Sequence, residues 1–388
     1  MKAIGFYKFR KFEKNETDLI NKKFFAIILL AIGKITDIPF NLSSQDWVQV
    51  YTLAKEQALL GICFAGVQKL YEQNPEALSN LPKSIKVQWF ALATNIQNRN
   101  KIINSQCATL QKDLLTQGLN SCILKGQGVA YYYGKGLDLL RQPGDIDIWV
   151  NGSWKQVMAL ISKRTPNREF DLKHAHYNVF KDTPVEVHWV PSTTSNFFLD
   201  RKLKRFYRQQ ANMQFNHKVT LYGKEKITAA DPFFDSIHLL LHILGHYLYE
   251  GVGLRQVMDY YFIIKQEDVQ KRKKDIIAYY KTLGLYDFSK SVMWVLKEVF
   301  ALENDFLFVE PEAKNGKKLL NEILKEGNMG HVATVNKENN ETTLPRWCRR
   351  WKRKLRLIRY NALGVVCNPI YKARLLWWKQ RVIKSYNL

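Results

Sequence analysis

The run Asp145-Ile146-Asp147-Ile148-Trp149-Val150 alternates strictly, which is the signature of a strand with two unlike faces. Residues i and i+2 of a strand project to one side, roughly 6.5–7 Å apart. Ile146, Ile148 and Val150 are therefore expected to face a core, while Asp145 and Asp147 face out together. Two like charges so placed repel unless a cation sits between them. A site rich in carboxylate oxygens suits Mg²⁺, which takes one or two carboxylates plus substrate phosphates. The motif therefore calls for a sheet with one face packed and one face polar. With 46% hydrophobic and 13% aromatic residues in 388, the chain can build that core, and a disordered polyelectrolyte is excluded.

A second alternating run, Val185-Glu186-Val187-His188-Trp189, buries its valines and turns Glu186 to the other side. If it lies beside the first strand, three carboxylates converge. Three carboxylates on neighbouring strands hold two divalent ions about 3.5–4 Å apart, the arrangement for in-line phosphoryl or nucleotidyl displacement. Upstream, the short apolar run Ser121-Cys122-Ile123-Leu124 is broken by Lys125-Gly126-Gln127-Gly128, and Arg141 precedes Gly144 and the motif. His174-x-His176 puts two imidazoles on one strand face, with His188 opposite on the next strand. That is an arrangement for zinc, although a polar sheet face beside a Mg²⁺ site is the more economical reading.

Around this mixed middle region the chain reads as helical. Capping residues at 41–46 precede Trp47, Val50 and Leu53, and a long helix runs from Val87 to Leu115, stopping at Gly118. Asn95, Gln97, Asn98 and Asn100 are assigned to its wet face. From Pro232 onward helices resume. The expected organisation is a helical region at 1–117, a core at 118–225, a helical lobe at 226–335 and a basic, aromatic-rich tail at 336–388, with 327–343 as linker. The fold class is α+β.

The order Leu124-Lys125-Gly126, then Arg141-x-x-Gly144-Asp145-Ile146-Asp147-Ile148, then Glu186-Val187-His188-Trp189 resembles the nucleotidyltransferase superfamily that includes DNA polymerase beta. More narrowly it is similar to a bacterial group of uncharacterised nucleotidyltransferases. The resemblance is densest over 120–190 and extends to about 25–265. It implies a small mixed β-sheet nucleotidyltransferase core between helical lobes, NTP as donor and two Mg²⁺ ions, or Mn²⁺. It implies that Asp145 and Asp147 bind both metals, and that Glu186 binds the acceptor-side metal and helps deprotonate the nucleophile. Gly126 would let the backbone approach phosphate closely. Lys125 and Arg141 become charge partners of the triphosphate, against the alternatives of a strand-end lysine and a solvated loop arginine. Gly144 and Arg255, in Gly253-Leu254-Arg255-Gln256-x-x-Asp259, join the nucleotide-binding set, although Arg255 and Asp259 lie four apart and an ion pair between them is the plainer reading. The superfamily's Gly-Ser or Gly-Gly pair is replaced here by Lys125-Gly126-Gln127, which has no serine hydroxyl for phosphate. A non-catalytic or toxin–antitoxin-type protein that keeps the fold and binds RNA or an anionic membrane is the alternative.

His238, His242 and His246 share one helical face among leucines and are expected to be core, with His246 the exception at the wet C-terminal end near Tyr249-Glu250-Gly251. Of the formal charge of +24, thirteen Lys/Arg and no acid lie beyond residue 343. Trp347, Trp351, Leu355 and Ile358 make 346–360 an amphipathic basic helix, and a second such run follows Asn368-Pro369. Docking on the protein's own helical lobe is the simplest reading, with an anionic membrane surface or nucleic acid as further partners. The five cysteines are scattered without a CxxC pair, as reduced thiols would be. No signal peptide or spanning segment is apparent, and the expected location is cytoplasmic, including the inner face of the membrane.

Overall fold

A computed structural model describes residues 16–166, 168–222, 224–328 and 343–388, and the side chains of these except at 16–17, 343–357, 359 and 361. The chain is α+β. Helices α1 (Glu16–Ala31), α2 (Ser44–Glu56), α3 (Leu60–Gln73) and α4 (Lys83–Thr116) lead into β1 (Ser121–Leu124) and the short α5 (Gly126–Ala130). Then come β2 (Ile146–Val150), α6 (Trp154–Arg164), β3 (His174–His176), β4 (Val185–His188), α7 (Phe197–Gln214) and the hairpin β5 (Lys218–Leu221) and β6 (Glu225–Thr228). Helices α8 (Pro232–Tyr249), α9 (Leu254–Ile264), α10 (Glu267–Lys271), α11 (Lys273–Thr282), α12 (Tyr286–Phe300), α13 (Ala313–Glu326) and α14 (Thr343–Tyr386) complete the order.

Local chemistry starts these helices where it was expected. Ser43 and Asp46 form a reciprocal capping box at α2, and Ser153 and Gln156 do the same at α6. Asp231 accepts from the Phe234 amide ahead of Pro232 at α8.

The four-stranded sheet has the order β1-β2-β4-β3. Strand β2 is antiparallel to β1 and parallel to β4, with Asp147 opposite Glu186 and Ile148 opposite Val187. Strand β3 closes the edge antiparallel to β4, with His174 opposite His188 and His176 opposite Glu186. One face of the sheet, carrying Ile123, Ile146, Ile148, Val185 and Val187, packs on the C-terminal half of α4 and on Val157, Met158 and Ile161 of α6. On the other face Cys122, Leu124 and Trp149 enter a larger core. There Trp149 stacks on Phe234.

That larger core joins residues of α1–α4 to residues of α8–α13, so the N- and C-terminal helical regions that flank the sheet share one interior. Gln57 fastens the two, donating to the Ile323 carbonyl and accepting from the Leu254 amide. The expected boundary at 225/226 falls inside β6, whose hairpin packs against β1. Its four-residue strands are too short to stand out as alternation.

Two further expectations are corrected. Asn100 is buried, with its side-chain amide donating to the Leu139 and Arg141 carbonyls. It satisfies the backbone of the loop that delivers β2, a task invisible to helical periodicity. The tail forms one helix of 44 residues with Pro369 inside it, not two separated helices. Anchors on both sides of the proline hold it to the body: Tyr360 packs on Tyr247 and Phe288, and Trp378 packs among Trp154, Phe170 and Trp189. These contacts offset the hydrogen bond that proline removes. Docking of the tail is thus observed, whereas the side chains of Trp347, Trp351 and Leu355 and the linker at 329–342 lie outside the described residues. No helix among the described residues is long and apolar enough to cross a membrane.

Candidate active site

The alternation of β2 and β4 puts Asp147, Glu186 and His188 on the face opposite Ile148 and Val187, and the β3 register adds His174 and His176 beside them. Asp145 sits at the entry of β2, exposed at the rim, whereas Asp147 is almost wholly buried. One carboxylate oxygen from each of Asp145, Asp147 and Glu186 lies within 4.8 Å of the other two. They line a cavity of about 540 Å³ together with Lys125, Gly126 and Gly144. Its far wall comes from α8, α9 and α14.

Such a cluster is tolerated because cations neutralise it. Lys125 Nζ lies 2.8 Å from Asp147 Oδ2, and His188 Nε2 lies 2.9 Å from Asp147 Oδ1 and 3.3 Å from Glu186 Oε2. Burial pushes the Asp147 carboxyl up, but Lys125 and His188 overcome this and hold it well below the usual carboxylate range. At Glu186 burial is likewise outweighed, chiefly by the His188 hydrogen bond, and the carboxyl ends below its ordinary value. Asp145 goes the other way, raised chiefly by the neighbouring Asp147 charge. Lys125 and His188 are both raised, burial being overcome by their carboxylate partners. Burial and the nearby His188 push the His174 imidazole down to about 4.

Lys125 reaches the cluster from a strained position. Leaving β1, the chain takes positive φ at two successive residues, 52° at Lys125 and 42° at Gly126. The turn points the lysine across β2. Only glycine adopts the second conformation without a Cβ penalty.

The arginines are rearranged relative to expectation. Arg141 is not a solvated loop residue: it lines the cavity, and its Nε and Nη2 donate at 2.7 Å to Oδ1 and Oδ2 of Asp259 respectively. Tyr133 Oη donates to the same carboxylate at 2.7 Å. The expected Arg255–Asp259 pair is therefore replaced by a pairing across 118 residues of sequence. Arg255 instead donates from Nη1 to the Gln142 carbonyl, its Nε has no partner, and it lines the cavity. Burial and the neighbouring Arg141 charge lower its pKa.

The three α8 histidines also divide. His238 is core, 3.3 Å from the Tyr207 hydroxyl. His242 and His246 are half-buried in the cavity wall, their Nε2 atoms 3.0 Å apart, and His246 Nδ1 is 3.0 Å from Glu250. The pairing of Asp259 with Arg141 and the bridging role of His188 escaped the sequence reading. The h-E-x-H-W spacing, which puts Glu186 and His188 on one face, was the available signal for the second.

A family model described as uncharacterised nucleotidyltransferase matches residues 43–301, about two thirds of the chain. The chain belongs to this family. Membership supports transferase activity and implies a nucleotide substrate, and the acidic cluster lies within the matched span. A crystal structure of an antigenic nucleotidyltransferase-like protein from Paracoccidioides brasiliensis is also similar, at 14% identity and a TM-score of 0.27, over 49% of this chain and 91% of that one. At that score the likeness is loose. No curated protein matches.

The donor set fits divalent metal. Three carboxylates meet within one coordination distance range, and the Lys125 ammonium lies against Asp147 where positive charge is required.

Proposed function

We propose that the chain is a Mg²⁺- or Mn²⁺-dependent nucleotidyltransferase that moves an NMP from an NTP to a hydroxyl or phosphate acceptor. The convergence of Asp145, Asp147 and Glu186 on one cavity carries this reading. Bound divalent ions would neutralise the triphosphate and sharpen the acceptor oxygen as nucleophile. In the reaction the acceptor oxygen bonds to the α-phosphorus, the bond to the bridging oxygen of the β-phosphate breaks, and pyrophosphate leaves. Asp145, Asp147 and Glu186 would hold the ions, and Glu186 would help take up the acceptor proton. His188, bonded to both Asp147 and Glu186, orients the two carboxylates. Lys125 and Arg255 contact the triphosphate, and Gly126 and Gly144, lacking side chains, let phosphate approach the wall. Arg141 acts at one remove by clamping the 141–144 loop to Asp259 of α9.

The test is incubation with α-labelled NTPs, Mg²⁺ and extracts containing small molecules, tRNA and protein. Label should move to an acceptor with wild-type chain and not with Asp145→Asn/Asp147→Asn. Identical blank results for both would remove the reading. The non-catalytic alternative is not favoured, since the whole carboxylate set and its cations are present.

The outward face of α14 supports an anionic membrane surface as the tail's partner, with the chain at the cytoplasmic side. Leu363, Val366, Ile370 and Trp377 are exposed on one stripe, and Arg374, Arg381 and Lys384 fall on the same side. Aliphatic side chains predominate there, suiting acyl chains better than base stacking. Co-sedimentation with anionic vesicles, and none with neutral ones, is expected. Preference for RNA over vesicles would reverse it.

A further inference from the structure

Beside the oxygen cluster lies a second donor set of different chemistry. His174 Nδ1 is 3.2 Å from Glu186 Oε2, and His188 Nε2 is 3.3 Å from the same oxygen. One ligand atom each from His174, Glu186 and His188 falls within 4.8 Å of the other two. The rings meet edge to face at 64° with centroids 4.8 Å apart. His174 is 9% exposed, and its Nδ1 has no hydrogen-bond partner although it faces the Glu186 carboxylate. Buried polar nitrogens are ordinarily satisfied. An ion between the two side chains would satisfy this one.

The geometry points to a site for a first-row transition-metal dication, Zn²⁺, Co²⁺ or Mn²⁺ in class, held by His174, Glu186 and His188 and sharing Glu186 with the Asp145–Asp147 cluster. This rests on the nucleotidyl-transfer reading only for the role of its neighbour. Two imidazoles and one carboxylate are borderline ligands that favour such ions over Mg²⁺, which prefers oxygen alone. Three protein ligands leave coordination positions open, as in catalytic rather than structural sites. The two halves of the centre are therefore chemically unequal: one side offers oxygen only, and the other offers two nitrogens. On loading, His188 exchanges its contact with Asp147 for the metal, and Asp147 keeps Lys125 or the neighbouring ion. His176, with Nε2 3.8 Å from Glu186 Oε1, stands outside the tripod.

The full-length chain, stripped of metal, is titrated with Co²⁺ and followed by its visible absorption. One equivalent should bind with a nitrogen-containing spectrum that millimolar Mg²⁺ does not erase. His174→Ala should weaken Co²⁺ binding at least ~10²-fold, while His176→Ala and Asp145→Asn retain it. To remove dependence on any variant's folding, X-ray absorption of wild type loaded with one equivalent of Zn²⁺ should show two imidazoles. An all-oxygen shell, displacement by Mg²⁺, or unchanged affinity in folded His174→Ala would overturn the site. NMP transfer by a chain with an all-oxygen shell would defeat this inference and leave the proposed function standing. A two-imidazole shell without any transfer would do the reverse.

Discussion

The two faces of the central sheet are made by the same strands, yet they solve opposite problems. Ile146, Ile148, Val185 and Val187 point one way into an apolar layer against α4 and α6. Between them Asp147, Glu186 and His188 point the other way, and Asp147 and His188 are buried almost as deeply. The apolar face is stable by removing surface from water. On the other face, which Cys122, Leu124 and Trp149 share, the buried charges are tolerated because each has a partner: Lys125 and His188 for Asp147, and His188 for Glu186. A paired polar face also has directed lone pairs and an adjoining cavity. Function follows the residues whose burial has to be compensated.

That contrast is sharpest where a partner is removed. Arg141→Ala leaves the Asp259 carboxylate buried without its bidentate cation, so a loss of about 3–5 kcal/mol is expected. Chemical denaturation checks this, and in Asp259→Ala/Arg141→Ala the loss should be smaller than the sum of the single losses. On the apolar face Ile148→Ala should cost about 3 kcal/mol through lost burial and a cavity. It should lower the melting temperature without changing nucleotide affinity per folded molecule. Affinity that fell in proportion to stability would blur the distinction between the faces.

Asp235 of α8 breaks the rule of paired charges, being fully buried with neither carboxylate oxygen hydrogen-bonded. Burial, reinforced by Asp231, raises its carboxyl well above the usual range. The folded chain thus keeps a proton that the unfolded chain releases above about pH 4. Stability from this group falls as pH rises, by up to about 1.4 kcal/mol per pH unit below its folded pKa. Asp235→Asn should therefore gain on wild type between pH 4 and 7 in thermal melts. Parallel curves would mean that Asp235 is ionised and paired.

Strand alternation made much of this legible from the sequence. A period of two over 145–150 and 185–189 suffices to put Asp147 and Glu186 on a common side once the strands pair. The register that places them opposite each other belongs to the folded sheet. Pairings between distant segments were out of reach, because local periodicity does not encode them. Arg141 with Asp259, Asn100 with the 139–141 carbonyls, and Lys125 with Asp147 all depend on how elements meet. The single α14 helix escaped for a related reason: Pro369 is locally a stop, and only Tyr360 and Trp378, docked on either side, show why the helix runs through it. His242 looks like core on a helical wheel, but the cavity it lines with His246 exists only after α8 packs over the sheet.

The most direct measurement is calorimetric binding of a non-hydrolysable NTP with and without Mg²⁺, to wild type, Ile148→Ala and Asp145→Asn/Asp147→Asn. Binding should require Mg²⁺, survive in Ile148→Ala and vanish in the double Asn variant. Equal binding by the double Asn variant, or binding indifferent to Mg²⁺, would contradict the assignment of the polar face as the metal and triphosphate site.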